Sequence, residues 1–462
     1  MKILKNFKSI TVKSNLTISS AMKKITQHEC GVLLVINKKK IYGYLQEGDI
    51  KKALLKKNFN LNSSIEKIIN KKPFTIKSNL SLEQKIQKLK NSARLRAPII
   101  NEYDHVVGLL YFPNFEKLFG GQNLTFNKSL NKKRILLVGG GGYIGSLLVR
   151  LLLKSNYYVI VYDLFKFGLT PLNGVRKNKN LKIIKGDASE IKKLLSISFG
   201  IDAIIDLSGI VGDPASEINP TKTIVENYFN SKNLAEVAKM FKIERYVYLS
   251  SCSVYGFAKG QKKINEKSKT IPLSLYAECK LNSEKAIFEL ADKNFNPTIL
   301  RLATVFGYSP RQRFDLVINI FTYLAAKGDK IKVFGGNQYR PNVHVYDVAN
   351  AIKLCLESPI KKVRNQIFNV GDNKLNLKII DLAKIVSKLN KKSKVVIDSS
   401  LVDKRDYHVD FSKIKKVLKF KTKYNISKGS KELYQKIKNN KFKNLKKINF
   451  SNFNVEIKNL YD

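Results

Sequence analysis

The chain has 462 residues, more than one ordinary hydrophobic core accommodates, so two or three domains are expected. Lysine and arginine total 85 against 36 carboxylates, a formal charge of +49. Only 12 of those 85 are arginine and the lysines are spread along the whole chain, which reads as solvated surface and argues against a nucleic-acid partner. The four cysteines (Cys30, Cys252, Cys279, Cys355) lack metal-ligand spacing and suit a reducing cytoplasmic setting, with no metal expected. The opening "MKILKNFKSI" has no long apolar core of a signal peptide, and no run is apolar enough for a membrane span.

The first 120 residues contain an internal repeat. "TVKSNLTI" at 11–18 returns as "TIKSNLSL" at 75–82, and "LLVINKKKIYGYL" at 33–45 is matched by "PIINEYDHVVGLL" at 98–110. Each copy predicts strand, helix, strand, turn, strand, helix, and two copies bury a shared apolar face. A polar, weakly periodic stretch, "GGQNLTFNKSLNKK" (120–133), reads as a linker.

A second domain opens at "RILLVGGGGYIGSLLVRLLL" (134–153). "RILLV" suits a buried parallel strand, and the run after Gly142 has helical periodicity. Gly139, Gly142 and Gly145 stand three apart between them. In that setting the first glycine makes a tight turn, the second admits backbone N–H groups to a pyrophosphate, and the third lets helix pack on strand. The anion then rests at the helix N-terminus beside Tyr143 and Ile144. The next strand, "YYVIVYD", ends in Asp163, 18 residues beyond Gly145. A carboxylate there accepts from a ribose diol and repels a 2′-phosphate, which favours NAD over NADP. "LKIIKGDAS" offers Asp187 toward the adenine, and "IDAIIDLSG" supplies a fourth strand. Alternating strands and helices predict an α/β fold with a doubly wound parallel sheet of Rossmann type.

"YVYLSSCSVYG" (246–256) ends a further buried strand in hydroxyls, and "YAECK" then places Tyr276 and Lys280 on one helical face. A phenol is a poor base at neutral pH, and a nearby ammonium and nicotinium charge favour its ionised form. Such a tyrosine takes a hydroxyl proton while hydride leaves for the nicotinamide.

The repeat over about 1–118 resembles a tandem cystathionine-β-synthase-type (CBS) pair, α+β in class. That resemblance implies an adenosyl nucleotide whose ribose meets a carboxylate at the start of the last helix of a copy, here Asp49. The second copy has Asn114 there. A pair serving only dimerisation is the other reading.

Residues 134 to about 440 resemble the extended short-chain dehydrogenase/reductases of the nucleotide-sugar epimerase/dehydratase group. "GGGGYIG", "SSCSVYG", "YAECK", "LRLATVFG", "RPNVHVYDVA" and "FNVGDN" carry the resemblance. It implies a NAD-binding core at about 134–300 and substrate-binding parts mostly within 301–440. By it Ser251 bridges substrate and Tyr276, and Ser253 is a second polar contact. Thr304 stands where many relatives have a substrate-touching Asn. Arg340 meets the diphosphate of a sugar nucleotide, with Arg311 and Arg313 as further candidates and His344 as a structural histidine before a helix. Hexose 4,6-dehydratases carry an Asp-Glu pair after the catalytic hydroxyl, where this chain has Cys252 and Ser253. Epimerisation through a keto intermediate is therefore expected, with a dehydrogenase/reductase or dehydratase on the same scaffold, or a non-catalytic nucleotide sensor, as the alternatives. Asp213 in "DLSGIVGDPAS" has no assigned role. Helices at about 218–241 and 274–293 carry apolar stripes that relatives pair across a dimer axis, so a homodimer is expected. The Lys/Asn-rich tail after Asn439 either frays or packs late.

Overall fold

The computed structural model describes residues 2–26, 28, 30–54, 59–82, 84, 85, 88, 96–111, 132–256, 263–398, 406–439 and 450–461. The chain divides into two compact units, Met1–Phe126 and Asn127–Asp462. Asn114 and most of the 120–133 segment lie outside the described residues.

In the first unit, β2 (Thr11–Val12), β3 (Val32–Asn37) and β4 (Lys40–Gln46) form one sheet, in the order β2-β3-β4. β1 (Lys2–Leu4), β5 (Ile76–Lys77), β6 (Arg96–Ile100) and β7 (Val106–Tyr111) form another, in the order β1-β7-β6-β5. The repeat seen in the sequence is repeated in the pairing. β2 runs parallel to β3 as β5 does to β6, and both antiparallel hairpins shift register at the same point, Val35/Ile36 and Ile99/Ile100. The N-terminal strand β1 pairs antiparallel with β7, so the chain's first residues extend the sheet of the second copy. Asp49 lies in the Glu47–Leu54 helix, and its Oδ2 accepts from the Gln46 N–H at 3.0 Å.

The second unit is built on seven parallel strands: β8 (Arg134–Val138), β9 (Tyr158–Asp163), β10 (Leu181–Lys185), β11 (Ala203–Asp206), β12 (Arg245–Ser251), β13 (Asn296–Leu302) and β17 (Gln366–Val370). Their order is β10-β9-β8-β11-β12-β13-β17. β8 reads as an unbroken apolar run because both its faces are covered. Ile135 and Leu137 join the core with Leu148 and Leu152 of the Tyr143–Lys154 helix, while Leu136 and Val138 join Leu234, Ala238 and Ile287 on the other side. Those last residues account for the stripes at 218–241 and 274–293 within one chain, since the helices there pack on the sheet and on each other. Strand order reverses at β8, and the connections part there to open a crevice over the carboxyl ends of the strands.

Beyond β13 the chain leaves the sheet for a smaller lobe. β14 (Thr304–Phe306), β16 (Tyr339–His344) and β18 (Asn376–Lys378) form one sheet, β15 (Ile331–Phe334) and β19 (Val395–Asp398) another. Phe306, Phe321, Val333, Leu382 and Ile426 form a separate apolar core there. The tail supplies one more element, a helix at Asn452–Tyr461 that packs against the Asp213–Ile218 helix. Among the described residues no helix is long and apolar enough to cross a membrane.

Candidate active site

The crevice holds a cavity of about 970 Å³. Its floor is the glycine turn. Gly139 has φ +85°, a conformation that L side chains rarely adopt, and a Cβ there would lie 2.9 Å from the backbone of Leu207. A Cβ on Gly145 would run into Gly140, 2.7 Å from its Cα, so only hydrogen lets the Tyr143–Lys154 helix pack so close to the turn. Gly139, Gly142, Tyr143, Ile144 and Gly145 all line the cavity. The Tyr143 hydroxyl donates to the Gly307 carbonyl at 2.7 Å, tying the turn to the smaller lobe.

Asp163 ends β9 and also lines the cavity. Its Oδ2 accepts from the Gly141 N–H at 2.8 Å and its Oδ1 from the Phe165 N–H at 2.6 Å, so it braces the glycine turn from the next strand. Asp187 sits differently. Its carboxylate accepts from the Ser189 N–H at 2.7 Å, and its neighbours Gly186 and Ala188 line the cavity in its place. The glycine cradle, the amides of a helix N-terminus and a strand-end carboxylate fit a NAD molecule.

At the other wall stand Ser251, Tyr276 and Lys280, all lining the same cavity as the glycine turn. Ser251 ends β12 and its Oγ accepts from the Ser253 N–H at 3.1 Å. The Ser251 side chain lies beside the Tyr276 phenol and favours its ionised form. Both Tyr276 and Lys280 are buried in the Leu275–Glu289 helix, which Ser274 caps by accepting from the Ala277 N–H. Lys280 Nζ donates to the Leu249 carbonyl at 2.9 Å and lies 4.8 Å from the centre of the Tyr248 ring. Burial pushes the Tyr276 phenol well above its ordinary range, and the Asp213 carboxylate pushes it further. Among the groups that act on it most strongly, Arg313 of the smaller lobe and Ser251 pull it down. Burial likewise lowers the Lys280 ammonium, against which the Asp206 carboxylate supports it.

Asp213 is thus a residue the sequence left without a place. It lines the cavity and accepts from the Ser274 hydroxyl at 2.7 Å. Its neighbour Gly212, at φ +106°, turns the chain into the Asp213–Ile218 helix. The signal was an acidic residue in the segment after β11, but nothing in the sequence gave its distance from Tyr276.

Ser253, Thr304, Arg311, Arg313 and Arg340 also line the cavity. The Ser253 hydroxyl is buried and accepts or donates no hydrogen bond. Arg313 forms a two-pronged pair with Asp315, at 2.8 and 3.2 Å, and Arg340 Nη1 donates to the Tyr339 carbonyl at 2.8 Å. Cys252 is turned away: its thiol donates to the Arg301 carbonyl at 3.4 Å. His344 lies outside the cavity lining. Its Nδ1 accepts from the Tyr346 N–H at 3.2 Å at the start of the Val345–Glu357 helix, and its ring stacks 3.9 Å from Tyr424. Burial lowers it to about 3, so it is neutral at physiological pH and Glu432, 3.7 Å away, is no ion-pair partner there. Among the described residues no cluster could hold a metal ion.

A sheet wound in this order, with a glycine cradle facing a Ser/Tyr/Lys group across one crevice, defines a dinucleotide-dependent enzyme acting on a hydroxyl-bearing substrate. Residues 135–371, half of the chain, match the model of the NAD dependent epimerase/dehydratase family, and the chain belongs to that family. Residues 5–56 match the CBS domain. The chain is 28% identical to a UDP-glucuronate 4-epimerase of Thermodesulfobacterium geofontis, over 64% of this chain and 93% of that protein. It is also 28% identical to human dTDP-D-glucose 4,6-dehydratase, over 56% and 75%. The crystal structure of UDP-glucuronic acid 4-epimerase from Bacillus cereus, in complex with UDP-glucuronic acid and NAD, superimposes with a TM-score of 0.60 at 25% identity, over 66% of this chain and 99% of that one.

Proposed function

We propose that the chain is a nucleotide-sugar epimerase that inverts a carbinol carbon, C4, of a UDP-sugar. The observation that carries this reading is that Ser251, Tyr276 and Lys280 share one cavity with the glycine turn and Asp163. The cavity, about 970 Å³, lies at the upper end of the range of ligand sites. Asp163 and the amides around Gly142 would hold NAD, which when bound supplies the hydride acceptor and donor.

The remaining chemistry falls to the chain. Tyr276 takes the proton of the substrate hydroxyl and later returns it. Ser251 holds the phenol and the hydroxyl in one line. Lys280, fixed on the Leu249 carbonyl, orients the face on which the phenol sits. Arg313 favours the phenolate at the moment it forms. Arg340 would meet the diphosphate with its guanidinium. Cys252 and Ser253 offer no carboxylate pair for loss of water, which favours epimerisation over dehydration. The N-terminal unit, 1–119, would bind an adenosyl nucleotide beside Asp49 and modulate the enzyme, and a homodimer is the proposed assembly.

Incubation with UDP-glucuronic acid, UDP-glucose or UDP-N-acetylglucosamine should give the C4 epimer by NMR without added NAD, and Tyr276→Phe should lose about 10²- to 10⁴-fold of the rate. A 4-keto-6-deoxy product, or net formation of free NADH, overturns the epimerase reading. Full activity of Tyr276→Phe overturns the role of the phenol. Sedimentation of the full chain tests the dimer, and titration with AMP against Asp49→Ala tests the N-terminal site.

A further inference from the structure

The Asn452–Tyr461 helix lies beyond the family match, which ends at residue 371, yet it forms part of the cavity wall through Asn452, Phe453 and Glu456. Its residues at positions 452, 455 and 456 are buried, one face of a helix turned inward. Asn452 makes three ties. Its Nδ2 donates to the Val211 carbonyl at 2.8 Å, its backbone N–H to Asp315 at 2.9 Å, and its Oδ1 accepts from Arg311 Nη2 at 2.7 Å. One turn later Glu456 pairs with Lys166 at 3.0 Å and Lys222 at 3.1 Å, and Lys166 also pairs with Glu226 at 2.8 Å. Burial opposes the charge of Lys166, but the two carboxylates outweigh it and raise its pKa. The helix therefore spans the loop after β9, the loop after β11 and the 311–315 segment.

Arg311 is the residue this arrangement serves. It is 3% exposed, lines the cavity, and stacks 3.7 Å from the centre of Phe167, four residues past Asp163. Its backbone N–H donates to Ser146 Oγ at 3.3 Å, in the first turn of the helix that follows the glycine cradle. Its Nε and Nη1 are buried without a hydrogen-bond partner. A buried guanidinium with two idle donors costs free energy unless an anion completes it. Its neighbours, Phe167 and Ser146, belong to the cofactor side of the crevice, whereas Arg313 faces Asp315 and Tyr276.

We propose that Arg311 binds an anionic oxygen of the NAD diphosphate, and that the C-terminal helix is a strap that holds it there through Asn452 and retains the cofactor between turnovers. This moves Arg311 from the substrate side, where sequence alone set it, to the cofactor side, and it rests on the reading that this cavity holds NAD. Asn452 is a positioning residue. The test compares the full-length wild type with Arg311→Ala, Arg311→Lys and Asn452→Ala. NAD and UDP affinities are measured separately by calorimetry, and NAD retained through purification is counted after release. Circular dichroism without ligand checks the fold. Arg311→Ala should weaken NAD about tenfold or more, Arg311→Lys should recover part of that loss, and Asn452→Ala should weaken NAD severalfold. UDP affinity should stay within twofold in all three. Unchanged NAD affinity in Arg311→Ala, or a loss for UDP as large as that for NAD, overturns the proposal while leaving the epimerase reading intact. A wild type that binds no NAD overturns that reading itself.

Discussion

Replacing Gly145 by alanine tests the geometry of the cradle most directly. The new methyl would lie 2.7 Å from Gly140 Cα and 2.9 Å from its carbonyl carbon, and closer still to the Gly139 carbonyl oxygen. Carbon atoms rest at about 3.5–4.0 Å, so the start of the Tyr143–Lys154 helix must move by about 1 Å. Overpacking of this kind costs about 1–3 kcal/mol, while the better helix propensity of alanine returns about 1 kcal/mol. Net stability then falls by roughly 0–2 kcal/mol, a small change for a unit of this size. Binding suffers more. A hydrogen bond from a helix-end amide to a phosphate is charge-assisted, and losing one at about 1.5–3 kcal/mol weakens NAD roughly 10- to 150-fold. The assay pairs calorimetric NAD titration with thermal unfolding in the absence of ligand. Gly145→Ala that binds NAD within twofold of wild type would refute the reasoning.

Further outcomes follow from groups around the site. Glu284 and Arg301 form a buried pair (3% and 5% side-chain exposure, 2.6 Å) under the end of β12, with the Ser250 hydroxyl donating to Glu284. Glu284→Ala leaves that guanidinium uncompensated and should cost about 3–5 kcal/mol, read as a drop in chemical denaturation midpoint. Burial raises the phenols of Tyr143, Tyr246, Tyr248, Tyr255 and Tyr276 above their unfolded value. Their contribution to stability is complete below about pH 10 and is lost as pH rises further, so the melting temperature should decline above that point and not before. His344 has the opposite sign. Its folded pKa of about 3 lies below the unfolded value, so its contribution is complete above about pH 6.5 and is lost as pH falls toward 3. His344→Asn should flatten the acid limb of a melting profile, and an unaltered limb would show that other groups set it.

The sequence by itself determined the architecture and the outline of the site. A continuous apolar pentapeptide, glycines at fixed intervals and a carboxylate at the next strand end leave few folds open, because each demand is local and steric. The spacing of Tyr276 and Lys280 put both on one helical face for the same reason, and the repeat of the first unit was visible because its copies still share their strand pattern. Tertiary structure decided what depends on groups far apart in the chain. It turned Asp187 onto its own loop, set Asp213 and Arg313 beside the phenol, and placed Arg311 against Phe167. It also made the end of the tail a wall of the cavity, through Asn452 and Glu456, which lie 141 and 290 residues from their partners Arg311 and Lys166. Charges and hydrogen bonds act through space, and the distances that govern them are fixed only when the two lobes and the last helix close on one crevice.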